Sequence, residues 1–146
     1  MPLGKLFMIL KKINSVLLVD DNEATNFLNR TLLEQSSFAR HIYVAGDGFD
    51  AMDYINGQRK DKNYQQPQLI FMGGNMPLLD EWGLLAEIER IKWEISFVPM
   101  VVMLTSCPCP ERRKEAQQYE FVLDYLEKPL TEAMILQIRR KIFFRP

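Results

Sequence analysis

The strongest constraint on the fold is a series of short apolar runs, each of which stops at polar residues or at glycine. The runs cover residues 16–19, 69–72, 100–104 and 125–126, and they lead to Asp20 and Asp21, Gly73, Thr105, and Lys128. Continuous apolar runs are typical of buried parallel strands. The carboxyl ends of such strands meet at one edge of an open α/β sheet, where ligands bind. Two acids, a hydroxyl and an ammonium group are therefore predicted to converge at that edge, with a glycine among them.

The intervals between the runs carry apolar residues at helical spacing, so strands and helices alternate along the chain. We predict strands over residues 15–19, 41–45, 69–72, 100–104 and 121–126. We predict helices over residues 23–35, 81–93 and 111–119, a short helix that closes at Asn56-Gly57, and a last helix capped by Thr131. Five alternating strands and helices imply a doubly wound parallel sheet with right-handed crossovers and helices on both faces.

Two of these helices carry particular expectations. In the first helix, Ala24, Phe27, Leu28 and Leu32 recur at helical spacing, and this pattern predicts the helix. The helix over residues 111–119 is unusually polar and has little apolar face. We therefore expect it to be exposed and only weakly held against the sheet.

Length and composition favour one domain and exclude several function classes. The chain has 146 residues and a formal net charge of −1, so it can bury one core and no bulk positive field favours nucleic acid or an anionic membrane. No apolar run reaches the roughly 18 residues of a membrane-spanning helix. We interpret residues 1–12 as an N-terminal extension and residues 13–146 as a single domain without an output domain. Cys107 and Cys109, with the distant His41, do not make a zinc site, and we expect two reduced thiols in a cytoplasmic protein.

Five motifs in order resemble the receiver domain of bacterial two-component response regulators. They are VLLVDDNEATNFL at the first strand, DGFDA before the second helix, LIFMGGNMPLLDEW at the third strand, VVMLTS at the fourth and DYLEKPL at the fifth. Together they cover nearly the whole chain. The resemblance implies a flavodoxin-like fold, α/β/α in three layers, with strand order 2-1-3-4-5.

The resemblance also implies roles for the residues at the sheet edge. In such domains an aspartate ending the third strand accepts a phosphoryl group from a histidine kinase, and Mg²⁺ neutralises the transferring phosphate. Asp20, Asp21 and the backbone carbonyl of Asn75 correspond to the metal ligands. The remaining correspondences are Thr105 and Lys128 as phosphoryl-binding residues, Thr105 and Tyr125 as switch residues, and Lys128-Pro129 as a peptide bond that is often cis in the family.

The departure from the family pattern is the phosphoacceptor itself, because the aligned position is Gly73. Glycine cannot be phosphorylated and offers no side chain to a metal, so we expect at most a weak Mg²⁺ site and no other cofactor. Asp80 is the nearest downstream acid, but it lies seven positions along the chain and is a poor substitute.

The sequence therefore predicts a stand-alone receiver-like domain of a phosphorelay that acts through protein–protein interaction and is not an enzyme. Expected partners are a sensor histidine kinase or another signalling protein, or a second copy that pairs through the fourth helix, the fifth strand and the fifth helix. The predicted contact surface includes Arg112, Arg113, Asp124 and Arg139. No nucleic-acid or membrane partner is expected.

Other readings stay open at this point. The chain could be a signalling-competent receiver that uses another acceptor or a ligand, or an inactive variant of an active Mg²⁺-dependent receiver. A flavin-binding flavodoxin is disfavoured, because Asp-Asp-Asn-Glu after the first strand would repel a phosphate.

Overall fold

A computed structural model gives the structure of the protein and describes residues 11–57, 64–73, 76 and 78–144. Most of the predicted N-terminal extension and the predicted metal ligand Asn75 lie outside the described residues. None of the helices in these ranges is both long enough and apolar enough to cross a membrane.

Five parallel strands form one sheet in the order β2-β1-β3-β4-β5, as predicted. The strands are β1 (Ile13–Val19), β2 (Ala39–Ala45), β3 (Leu69–Gly73), β4 (Met100–Thr105) and β5 (Val122–Glu127). The helices between and after them are α1 (Glu23–Gln35), α2 (Gly48–Ile55), α3 (Glu81–Ile91), α4 (Pro110–Gln117) and α5 (Glu132–Phe143). The largest differences from prediction are two residues: β1 and β2 each begin two residues earlier than predicted, and α3 and α4 each end two residues earlier.

Two hydrophobic clusters, one on each face of the sheet, form the core. Successive residues of a strand point to opposite faces, so Leu17 and Val19 of β1 enter one cluster while Val16 and Leu18 enter the other. All five residues of β3 are buried. The fold therefore fixes the ends of β1, β3 and β4 on a rigid central platform.

The apolar residues that recur at helical spacing in α1 do not form a single buried face, although Leu32 packs against the core. Phe27 and Leu28 are 68% and 66% exposed, whereas the buried residues of α1 are Asn26 and Leu33. The side-chain amide of Asn26 donates a hydrogen bond to the backbone carbonyl of Asp20, with an N–O distance of 2.8 Å. That bond, together with the burial of Leu33, fixes the rotation of the helix so that its apolar pair faces solvent.

The helix α4 is as weakly packed as its sequence indicates. Its one buried residue is Ala116, and its N-cap residue Cys109 makes no capping hydrogen bond through its side chain. Pro110 occupies the first turn, where a missing N–H costs nothing. Few apolar contacts therefore hold this helix on the sheet.

Candidate functional site

The topology gathers the predicted site residues at the carboxyl edge of the sheet. Asp20 follows β1, Gly73 ends β3, Thr105 ends β4, and Lys128 follows β5. Leu104 pairs with Gly73 across β3 and β4. The Nζ atom of Lys128 lies 2.8 Å from Oδ2 of Asp20, although the two residues are far apart in the sequence. The peptide bond between Lys128 and Pro129 is cis.

Both carboxylate oxygens of Asp20 have a hydrogen-bonding partner. Its Oδ2 atom pairs with Lys128, and its Oδ1 atom accepts a hydrogen bond from the backbone N–H of Asn22 at 2.9 Å. The residue is only 4% exposed. A buried carboxylate must be paired and hydrogen-bonded to stay charged. The arrangement around Asp20 meets that requirement without a metal ion.

The side chain of Asp20 lies where a side chain on Gly73 would be. A Cβ atom built on Gly73 would fall 2.8 Å from Cγ of Asp20, and closer still to its Oδ2 atom. Non-bonded carbon atoms approach one another to about 3.5–4.0 Å. Glycine at the end of β3 therefore gives Asp20 and Lys128 the space in which they pair.

The Mg²⁺ ligands implied by the family resemblance do not fit a metal ion as they stand. Mg²⁺ requires near-octahedral oxygen ligands, including carboxylates that are free to coordinate it. Asp20 is committed to Lys128, and Asp21 is exposed. Within the described ranges, no group of three or more His, Cys, Asp or Glu residues is placed to hold a metal. A cation would first have to separate Asp20 from Lys128.

Thr105 is one of the residues that line a cavity of about 180 Å³. Its hydroxyl oxygen accepts a hydrogen bond from the backbone N–H of Cys107 at 3.1 Å, and its carbonyl accepts one from the N–H of Lys128 at 2.8 Å. The cavity is also lined by Met72, Glu81, Trp82, Met103, Leu104, Cys107, Arg112 and Tyr125. The two predicted switch residues, Thr105 and Tyr125, therefore share one cavity.

Two arginines of α4 cover aromatic rings at this cavity. The guanidinium of Arg112 lies 5.1 Å from the ring centre of Trp82, and that of Arg113 lies 5.1 Å from the ring centre of Tyr125. Tyr125 is buried. Cation–π contacts at this distance stabilise by about 0.5–2 kcal/mol each. They supply part of the attachment that α4 lacks in apolar contacts.

Two residues of the predicted contact surface are committed to contacts within the domain. Arg139 is 4% exposed, its guanidinium lies 5.4 Å from the ring centre of Phe38, and it donates a hydrogen bond to the carbonyl of Ser36. Its inclusion in a contact surface is therefore wrong, because a buried residue on an amphipathic helix cannot reach a partner. Burial lowers the pKa of Arg139 from its ordinary value.

The second correction concerns Asp124. Its Oδ2 atom pairs with Nζ of Lys141 at 2.6 Å, and its Oδ1 atom accepts a hydrogen bond from the N–H of Tyr125. The side chain of Asp124 is only 9% exposed, so it ties α5 to β5 and offers little surface to a partner. Arg112 and Arg113 are exposed, as predicted.

Three residues of the site were not predicted to belong to it. Asn22 is the N-cap of α1, where its side chain accepts from the N–H of Thr25, and its own N–H holds Asp20. Asn before a helical pattern is a recognisable cap signal. Asn26 and Trp82 give no comparable signal, because their roles depend on how α1 and α3 are rotated against the sheet.

Comparisons with known proteins agree with this arrangement. The family model described as the response regulator receiver domain matches residues 16–140. Response regulator Rcp1 of Synechocystis sp. is 32% identical over 91 residues, which cover 62% of this chain and 61% of that protein. The chain thus spans less than two thirds of the length of that relative.

Solved structures give the same picture. A two-component response regulator from Cytophaga hutchinsonii is 27% identical, with a TM-score of 0.80, and the match covers 92% of this chain and 100% of the other. The Mn²⁺-bound form of response regulator Rcp1 is 25% identical, with a TM-score of 0.67, over 90% of this chain and 94% of the other. Both similarities cover nine tenths or more of this chain.

Proposed function

The chain belongs to the family of response regulator receiver domains, and from that premise we propose that it is a receiver-like module of two-component signalling that does not accept a phosphoryl group at the end of β3. In this proposal it is not an enzyme. It acts by binding a protein partner, either a sensor histidine kinase or another signalling protein, or a second copy through α4, β5 and α5. Arg112 and Arg113 are the exposed charged residues that we assign to that surface.

The observation that carries the proposal is the position of the Asp20 side chain. Phosphoryl transfer to a receiver needs a nucleophilic carboxylate and nearby positive charge to neutralise the transferring group. At Gly73 the nucleophile is missing, and Asp20 fills its space. Lys128, the cation that corresponds to the phosphoryl-binding lysine, is already paired with Asp20. Nucleophile and cation are therefore both unavailable in this arrangement.

The alternative function, a receiver that uses another acceptor, has less support. Asp80 is the N-cap of α3, and its Oδ1 atom accepts a hydrogen bond from the N–H of Gly83 at 2.8 Å. Asp at an N-cap stabilises a helix by about 1 kcal/mol. A phosphoryl group there would lie at the start of α3 and not at the end of β3, where the receiver family carries its acceptor.

A chemical phosphorylation assay tests the proposal. The protein is incubated with acetyl phosphate and Mg²⁺, and intact mass is recorded beside the variants Gly73→Asp and Gly73→Asn. We expect no phosphoryl adduct on the natural chain or on Gly73→Asn, which adds a side chain of similar size without a carboxylate. A single adduct on Gly73→Asp would show that the missing carboxylate at position 73 is the sole reason why the natural chain is not phosphorylated.

The opposite result has a clear meaning. If the natural chain gains a phosphoryl group that is lost on treatment with hydroxylamine, an acyl phosphate has formed on another carboxylate. Peptide mapping would then identify that residue, and the alternative function, a receiver that uses another acceptor, would replace the proposal of a module that acts without phosphorylation. Circular dichroism of each variant confirms that the fold is retained before the masses are compared.

A further inference from the structure

The loop between β4 and α4 carries two cysteines at the cavity that holds the switch residues. Cys107 is exposed, and Cys109 is partly buried; both are free thiols. Cys107 lines the same cavity as Thr105 and Tyr125. Its backbone N–H donates to the hydroxyl of Thr105. Oxidation of the Cys107 thiol therefore alters a residue that lines the cavity of Thr105 and Tyr125 and is hydrogen-bonded to Thr105.

The second thiol sits where α4 begins. Cys109 is the N-cap of α4, and no side-chain hydrogen bond fixes it there. The loop is therefore attached at one end to Thr105 and at the other to α4, a helix with one buried residue. Movement of the two cysteines toward one another would displace both Thr105 and the start of α4.

We propose that Cys107 and Cys109 form a reversible dithiol–disulfide site, oxidised by a low-molecular-weight disulfide such as oxidised glutathione, and that its oxidation shifts α4. The inference does not depend on whether the chain can be phosphorylated, because it concerns a separate chemical input to the same cavity.

The reaction is thiol–disulfide exchange in two steps. The thiolate of Cys107, the more exposed of the two, attacks one sulfur of oxidised glutathione, forms a mixed disulfide and releases one glutathione thiolate. The thiolate of Cys109 then attacks the sulfur of Cys107 and releases the second glutathione thiolate. Two protein thiols are oxidised, and one glutathione disulfide is reduced to two thiols.

Chain geometry allows the bond and gives it a structural consequence. Residues two positions apart have Cα atoms at most about 7 Å apart, and disulfides form at Cα separations of about 4.4–6.8 Å. The only residue between the cysteines is Pro108, whose φ angle is fixed by its ring. Closing so small a ring therefore has to move the backbone of Cys107, which is hydrogen-bonded to Thr105, and Pro110, which follows Cys109. Exposed or strained disulfides are the readily reduced, regulatory kind.

The test uses the full chain in buffers of defined glutathione ratio. Intact mass after alkylation of free thiols counts the disulfides. Hydrogen–deuterium exchange of Pro110–Gln117 and the emission of Trp82 in a Trp93→Phe background report the position of α4. We expect an intramolecular disulfide in the natural chain, several-fold faster exchange in α4, and full reversal by reduced glutathione. The variant Cys109→Ser should stop at the mixed disulfide.

The controls decide between this site and ordinary surface thiols. The double variant Cys107→Ser, Cys109→Ser should show the same exchange and emission at every glutathione ratio. An intramolecular disulfide that leaves α4 exchange and Trp82 emission unchanged would overturn the coupling. Mixed disulfides or disulfide-linked dimers without the intramolecular bond would overturn the site itself.

Discussion

At the residue scale, the site is defined by the missing side chain at position 73 and by the side chain of Asp20 that fills its place. Gly73 has no side chain at the end of β3, and the side chain of Asp20 occupies the volume where one would lie. A buried carboxylate without a partner costs several kcal/mol. Lys128 offsets that cost, and the backbone of Asn22 satisfies the second oxygen. The result is a neutralised pair where a receiver ordinarily keeps a cluster of acids.

The first prediction concerns the glycine itself. Replacing Gly73 with alanine should lower the free energy of unfolding by about 1–3 kcal/mol, because its Cβ would press into Asp20 within a packed core. The matched control is Gly46→Ala, since a Cβ there meets no atom within 4 Å. That variant should be neutral or stabilised by up to about 1 kcal/mol. Urea denaturation of both variants measures the difference, and equal stabilities would contradict the close approach of Asp20.

The second prediction concerns Lys128. The variant Lys128→Met keeps most of the side-chain volume but leaves the Asp20 carboxylate buried and unpaired. Removing one partner of a buried pair costs about 3–5 kcal/mol; we expect the low end, because the Lys128 side chain is itself 25% exposed.

Arg30→Met is the control for this variant, because Arg30 pairs with Glu34 on the exposed surface of α1. It should cost about 0.5 kcal/mol or less. Chemical denaturation of the two variants under the same buffer conditions makes the comparison. Similar losses for both would mean that the pair with Asp20 behaves as a surface ion pair.

At the element scale, the strands were predictable and the helix faces were not. Apolar runs of four or five residues locate β1, β3 and β4 to within about two residues, since a strand buried on both faces needs apolar residues at every position. A helix is buried on one stripe only. In α1 the spacing of Phe27 and Leu28 indicates a face that is in fact exposed. The hydrogen bond from Asn26 to Asp20 sets the rotation of the helix about its axis and turns a different face toward the sheet. That bond joins two elements and leaves no mark in local periodicity.

The third prediction belongs to the contact of α5 with the loop after α1. Arg139 is buried there, and its Nε atom has no hydrogen-bond partner among the described residues. Replacing buried charge with an apolar side chain of similar size is often neutral or stabilising. We therefore expect Arg139→Met to match or exceed the stability of the natural chain.

The companion variant is Arg139→Ala, which leaves a cavity beside Phe38. It should lose about 2–4 kcal/mol, in the range of large-to-small core substitutions. Thermal unfolding followed by circular dichroism separates the two variants. If Arg139→Met proves as unstable as Arg139→Ala, the guanidinium contributes through its charge and hydrogen bond, and the packing argument fails.

At the scale of the whole molecule, the order of the strands and the convergence of the site follow from connectivity. Parallel strands with right-handed crossovers bring Asp20, Gly73, Thr105 and Lys128 to one edge, and the structure places them there. The position of the Asp20–Lys128 pair in the space beside Gly73 could not be predicted, because it depends on distances of a few ångströms between elements. The burial of Arg139 and the pairing of Asp124 with Lys141 could not be predicted for the same reason, since each is a contact between α5 and another part of the fold.

The last prediction tests the whole edge through its affinity for Mg²⁺. A ligand that binds only the folded state stabilises it by RT ln(1 + [L]/Kd), which is about 2.7 kcal/mol at a hundredfold excess over Kd. In the natural chain, Mg²⁺ would have to break the pair between Asp20 and Lys128, so millimolar Mg²⁺ should leave the melting temperature unchanged. In Gly73→Asp, the introduced carboxylate displaces Asp20 and adds an oxygen ligand, so the melting temperature should rise with Mg²⁺ concentration.

Gly73→Asn controls for bulk and should show no comparable rise, because an amide oxygen is a weaker ligand for a hard cation. An equal Mg²⁺-dependent rise in all three proteins would show that Asp20 and Asp21 bind the cation without help from position 73, and the closed arrangement at the carboxyl edge would then have to open readily in solution.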